Sequence, residues 1–156
     1  MVFILDEGGV FDVPLKKIWE LNRSKTYHKH PGSMKNMRVE RTADPLTIVL
    51  TWESETHGVS FNHKARLTFL PPVGFTMDFV EGPLNGSRDI EYYLPNGDKT
   101  GITCVGEWKW TATAGVELSG DELRASVAKF YDEGFQEDKE NLVRMQQESI
   151  QTQIAR

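Results

Sequence analysis

The chain has 156 residues, 38% hydrophobic and 26% charged, with a net charge of −5 and one cysteine, Cys104. This describes a soluble, globular, single domain over 1–156, long enough to bury a core unaided. It excludes an intrachain disulfide and a cysteine-based zinc site, and no apolar run approaches the ~18 residues of a membrane-spanning helix.

The opening MVFILDEGG turns acidic too soon for a signal peptide, so a cytoplasmic location is expected. Residues 1–12 read as a strand with a bulge at Gly8 and Gly9. Asp12 as N-cap and Pro14 in the first turn then open a short helix, with Leu15, Ile18 and Trp19 at helical spacing. A second short helical turn falls between Asn22 and Gly32, giving two short helices over 13–32.

Residues 16–41 carry eight basic groups (Lys16, Lys17, Arg23, Lys25, Lys29, Lys35, Arg38, Arg41) against Glu20 and Glu40. That segment is +6 and the remainder −11. Such a patch can recruit an acidic partner or make peripheral contact with a membrane, or it is a solvated face balancing an acidic helix. No Gly-rich, aromatic-interleaved basic motif accompanies it, so no nucleic acid is expected.

Over 34–112 the hydrophobic period becomes two, with turn signals at TADP, ETHG, PPVG, GPLNG and PNGD, which fits a six-strand meander. The apolar faces are Ile48, Leu50 and Trp52; alternate residues from Val59 to Phe69, His63 among them; Phe75, Met77 and Phe79; Ile90, Tyr92 and Leu94; then Ile102, Cys104, Trp108 and Trp110. A sheet with one apolar face needs a cover. The cover is a long helix over 119–150, capped by Ser119 or Asp121. Its inner stripe holds Leu123, Val127, Phe130, Tyr131, Gly134, Asp138, Leu142 and Met145, with Glu137 among the outward-facing residues. Residues 151–156 are expected to fray.

The segments FDVPLKKIWELN and MDFVEGPLNGSRDIEYYLPNGDKTGITCVGEW resemble the START/SRPBCC superfamily, in particular its birch-pollen-allergen-like, polyketide cyclase and lipid-transport members. The resemblance spans nearly the whole chain. It implies an α+β helix-grip fold, a curved antiparallel sheet of about seven strands wrapped around the long C-terminal helix. It also implies an apolar cavity that takes lipids, sterols, polyketides or plant hormones. Ring-hydroxylating relatives are set aside, because the chain lacks a Rieske-type Cys/His pattern and a helical non-haem iron motif.

The inner face then supplies the ligand-binding candidates: the aromatic residues Trp52, Phe61, Phe79, Tyr92, Trp108, Trp110 and Tyr131, and the polar groups His63 and Asp138. Arg38 joins them if its strand presents that face. His63 is the candidate acid/base if Asp138 stands within hydrogen-bond reach, and otherwise a satisfied core residue. His28 and His30 in YHKHPG point the same way on an extended segment, but two histidines are not a metal site, and no metal or cofactor is expected. Cys104 among apolar neighbours reads as filler, and no G-x-S-x-G nucleophile elbow occurs. The expected function is binding or transport of a hydrophobic or amphipathic small molecule. The alternatives are a cyclase, dehydratase or aromatase using the same cavity, and an interaction module recruited through residues 16–41.

Overall fold

The computed structural model describes residues 1–26 and 28–154. Seven strands form one antiparallel sheet: β1 (Val2–Phe11), β2 (Lys35–Arg41), β3 (Thr47–Thr56), β4 (Val59–Leu70), β5 (Gly74–Glu81), β6 (Arg88–Asn96) and β7 (Lys99–Trp108). The order β1-β7-β6-β5-β4-β3-β2 makes β2 to β7 a meander, and β1 adds to its far edge beside β7. Helix α1 (Leu15–Arg23) leads from β1 towards β2, and α2 (Gly120–Ile154) follows the sheet. This is the helix-grip α+β arrangement, with the sheet curved around the long helix.

Alternation decides which face is buried. On β4, Phe61, His63, Ala65 and Leu67 are buried while Ser60, Asn62 and Arg66 are exposed. Phe75, Met77 and Phe79 continue that face across β5, and Ile102, Cys104 and Trp108 across β7. The bulge in β1 falls where Gly8 and Gly9 stand: the register with β7 shifts between Asp6 and Gly9, and Gly8 has φ +65°. A side chain at Gly8 would also collide with the Ile102 carbonyl oxygen at 2.6 Å.

Both helix starts have local causes. For α2, the Glu122 N–H donates to Ser119 Oγ at 3.2 Å and the Ser119 N–H to Glu122 Oε2 at 2.8 Å, a reciprocal capping box. The N-cap of α1 is Pro14 with no side-chain hydrogen bond, not Asp12, whose carboxylate instead lies 3.1 Å from Lys99 Nζ. Among the described residues only one of the two expected short helices forms. Ser24 closes α1 by donating its N–H to the Leu21 carbonyl, and turns follow at 25–26 and 31–33. The turn at 31–33 closes through a bond from the Met34 N–H to the His30 carbonyl at 3.0 Å; the Gly32 and Ser33 N–H groups go to Glu137 of α2, and the chain then enters β2. Tyr27 lies outside the described residues, as do Ala155 and Arg156 at the end expected to fray. Helix α2 itself persists to Ile154, beyond the expected end at 150. Its 35 residues extend ~50 Å at ~1.5 Å each. No described helix is long and apolar enough to cross a membrane.

Candidate functional site

Between the sheet, α1, β2 and α2 lies a cavity of about 910 Å³. Its floor is apolar because the alternation of β3, β4 and β5 sends Leu50, Leu67, Phe75 and Met77 into it. Phe130, Tyr131, Gly134 and Phe135 of α2 form the opposite wall. Trp19 of α1 closes one side, fixed by its N–H to the Pro72 carbonyl at 3.1 Å and by edge contacts with Phe69 and Tyr93. Arg23, Lys25 and Arg41 are the exposed cations of the lining, with Asp44 and Asp132 as its exposed carboxylates, and none of the three cations forms an ion pair among the described residues.

Strand β6 reverses the expected face. Ile90, Tyr92 and Leu94 lie on the outer side, with Tyr92 41% exposed, while Asp89, Glu91 and Tyr93 face inwards. The pairing enforces this: Glu91 sits opposite Cys104 and Tyr93 opposite Ile102, both on the inner face of β7. Two carboxyls thus enter the interior on a strand whose apolar residues face water. Glu91 lines the cavity, and burial drives its carboxyl well above the usual range, with the Asp89 and Asp138 charges adding to the effect. The Tyr93 hydroxyl accepts a hydrogen bond from Asn22 Nδ2 at 2.8 Å.

The polar end is built by α2 and the segment 28–33. Glu137 turns to this segment instead of to solvent: the Ser33 hydroxyl donates to Glu137 Oε2 at 2.5 Å, and the Gly32 N–H donates to Oε1. Asn141, fully buried, donates to the Lys29 carbonyl at 2.9 Å. These bonds bring His30 against two carboxylates, with Nδ1 3.1 Å from Glu137 Oε2 and Nε2 3.3 Å from Asp138 Oδ1. His28 Nε2 lies 3.6 Å from the same Asp138 oxygen. Burial works to lower the His30 pKa, but the flanking Asp138 and Glu137 carboxylates outweigh it and push it up to about 10. Burial likewise opposes ionisation of Glu137, yet His30 and Ser33 bring it down to about 2, and His30 also holds Asp138 below its ordinary value. His28 is lowered by burial and remains a neutral imidazole near pH 7.

Of the residues singled out in the sequence, Tyr131 and Asp138 line the cavity; Trp52, Phe61, His63, Phe79, Trp108 and Trp110 do not. They pack instead against one another in the core. Trp52 stacks on His63 with ring centroids 5.2 Å apart, Phe79 meets Trp108 at 4.8 Å, and Phe61 meets Trp110 at 5.4 Å. Trp108 also touches Phe130 and Tyr131, which separate this cluster from the cavity. His63 is 3% exposed and its Nε2 pairs with Ser54 Oγ at 2.7 Å, so Asp138 is not its partner. Burial pulls its pKa down to about 4. Arg38 points outwards, and Met37 takes the inward position on β2. Cys104 lines the cavity, but burial pushes its thiol up, away from the thiolate that nucleophilic chemistry needs.

The sequence reading missed Glu91, Glu137 and Asn141. Proximity of 28–33 to α2 had no local signal, and Glu91 looked like the solvated side of an amphipathic strand. The assembled groups can hold a proton on the cavity wall, hydrogen-bond a bound molecule or ligate a cation.

No family model and no curated protein matches the sequence. Solved structures do resemble it. A protein from Thermus thermophilus superposes with TM-score 0.66 at 14% identity, covering 92% of this chain and 97% of that one. Ara h 8.0201 gives TM-score 0.67 at 12% identity over 92% and 98%. The Zhui aromatase/cyclase from a Streptomyces species gives 0.63 at 11% over 96% and 94%. Identities this low show a shared fold, and that fold is the one the two sequence segments resemble.

Proposed function

On this START/SRPBCC helix-grip fold, we propose that the chain binds an amphipathic small molecule whose apolar body lies along Leu50, Leu67 and Met77 and whose anionic end meets the exposed cations of the lining. The carrying observation is the cavity itself: about 910 Å³ falls within the ~300–1,000 Å³ of small-molecule sites, with an apolar floor and a few convergent polar groups. Apolar burial supplies the driving force, at roughly 25 cal/mol per Å² before ordering costs. Among the exposed charged residues of the lining, Arg23, Lys25 and Arg41 outnumber Asp44 and Asp132, which favours a carboxylate or sulfonate end over a basic one. This also absorbs part of the basic segment into the binding site, in place of recruitment of a protein partner.

The test is native mass spectrometry of the freshly purified full chain beside its denatured mass, followed by incubation with a saturated C14 to C18 fatty acid. A reproducible mass lost on denaturation, or stoichiometric fatty-acid uptake, supports the reading. Matching masses together with no uptake overturn it.

A second reading, an aromatase/cyclase-type enzyme, is supported by the titratable groups on the wall, because His30, Asp138 and Glu91 face the space a substrate would occupy. Acid/base work then belongs to His30, not His63. Loss of turnover of a linear poly-β-ketone in His30→Gln, with binding retained, would favour the enzyme over the carrier.

A further inference from the structure

We propose that His28, His30 and Asp138 form a three-ligand site for a divalent first-row transition ion such as Zn²⁺, with its open coordination positions facing the cavity. The three residues come from two distant parts of the chain, and their ligand atoms all lie within 4.8 Å of one another. One of the separations is already that of a coordination sphere, and a second is within a few tenths of an ångström of it. Metal–ligand bonds of ~2.0–2.1 Å at tetrahedral angles place neighbouring ligand atoms about 3.3–3.4 Å apart. Asp138 Oδ1 stands 3.3 Å from His30 Nε2 and 3.6 Å from His28 Nε2. The His28 to His30 edge, no longer than 4.8 Å, closes by imidazole rotation.

Two further observations separate this cluster from a chance ion pair. Asp138 Oδ1 is buried and receives no well-aligned hydrogen bond from the described residues, although two imidazoles stand beside it. A buried carboxylate oxygen left without a donor is costly, and an ion placed between it and the rings would satisfy it. The outer contacts are also those that metal-ligating histidines use. Glu137 Oε2 lies 3.1 Å from His30 Nδ1, leaving Nε2 for the ion, and Glu137 is itself fixed by Ser33 and Gly32. Asn141 anchors the Lys29 carbonyl between the two histidines, which holds the backbone that carries the pair.

Two imidazoles and one carboxylate suit Zn²⁺, Fe²⁺, Co²⁺ or Ni²⁺ over Ca²⁺ or Mg²⁺, which take oxygen ligands. All three residues line the cavity, so positions not filled by protein would open onto it.

The experiment is calorimetric titration of the chelator-stripped full chain with Zn²⁺, and with Co²⁺ followed by its visible d–d bands. It uses no organic ligand, so its outcome is independent of the carrier reading. One Zn²⁺ per chain is expected, with affinity lowered at least ~10-fold by His28→Ala and by Asp138→Asn. Glu137→Gln should lower it by ~10–100-fold, the usual effect of removing an outer-sphere partner. Circular dichroism of each variant separates lost binding from lost fold, and Glu137→Gln leaves all three ligands in place. No stoichiometric uptake by the wild-type chain overturns the site. So does uptake with wild-type affinity in the folded Asp138→Asn and His28→Ala proteins, which would leave the cluster an ion pair only.

Discussion

The hydroxyl of Tyr131 on α2 donates to Asp89 Oδ1 of β6 at 2.7 Å, deep in the core, while accepting the Trp108 Nε1–H at 3.2 Å. Asp89 is 1% exposed and its second oxygen has no partner among the described residues; burial raises its pKa to about 6, an effect the Tyr131 bond partly opposes. Tyr131→Phe removes the donor to one buried group and the acceptor of another, and should cost about 1–3 kcal/mol in denaturant unfolding. The pH sign follows from proton occupancy. Between 3.8 and about 6 the folded chain keeps a proton on Asp89 that the unfolded chain has released. This group therefore loses its stabilising contribution as pH rises through that window. Asp89→Asn should flatten that component, and an unchanged pH dependence would contradict the assignment.

His63 acts in the opposite direction. Its ordinary value of 6.5 falls to about 4 on burial beside Trp52, so between these limits the unfolded chain binds a proton the folded chain refuses. Its contribution is present above 6.5 and is lost as pH falls towards 4, amounting to about 3 kcal/mol at 1.36 kcal/mol per pH unit. His63→Gln should weaken the acid sensitivity of urea unfolding between pH 6.5 and 4. Because His63 is remote from the cavity, ligand affinity should not change.

Gly134 lies within α2 and lines the cavity, and a Cβ there would meet only Ser33 Oγ at 4.0 Å. Glycine inside a helix costs about 0.5–1 kcal/mol relative to alanine. Gly134→Ala should accordingly raise the melting temperature by about 1–4 °C. A lowered melting temperature would mean that the position is more crowded than its geometry indicates.

The fold was legible wherever residue periodicity and local chemistry acted alone. The bulge at Gly8 and Gly9, the alternation of Val59 to Phe69 and the Ser119 cap all follow from neighbours within a few residues. The cavity was much less legible. Inner-face membership identified residues that are buried, but not whether a side chain packs against other rings in the core, as Trp52 and Trp108 do, or borders open space, as Phe75 and Met77 do. Strand β6 misled because Ile90, Tyr92 and Leu94 are the more apolar set, whereas register against β7 turned Asp89, Glu91 and Tyr93 inwards. Asp138 was placed correctly on the inner stripe, but its partners were not: over a hundred residues separate it from His28 and His30, and no periodicity spans that distance.

On the proposed function the cavity beside Gly134 is an open ligand site. Fluorescence titration with 1-anilinonaphthalene-8-sulfonate, an aromatic anion, against the wild-type chain, Gly134→Ala and Gly134→Phe probes that space. Saturable binding of one dye per chain is expected, retained in Gly134→Ala. Binding should weaken at least ~10-fold, about 1.4 kcal/mol, in a folded Gly134→Phe whose ring occupies the space. No saturable binding by the wild-type chain, or equal affinity in Gly134→Phe, would contradict it.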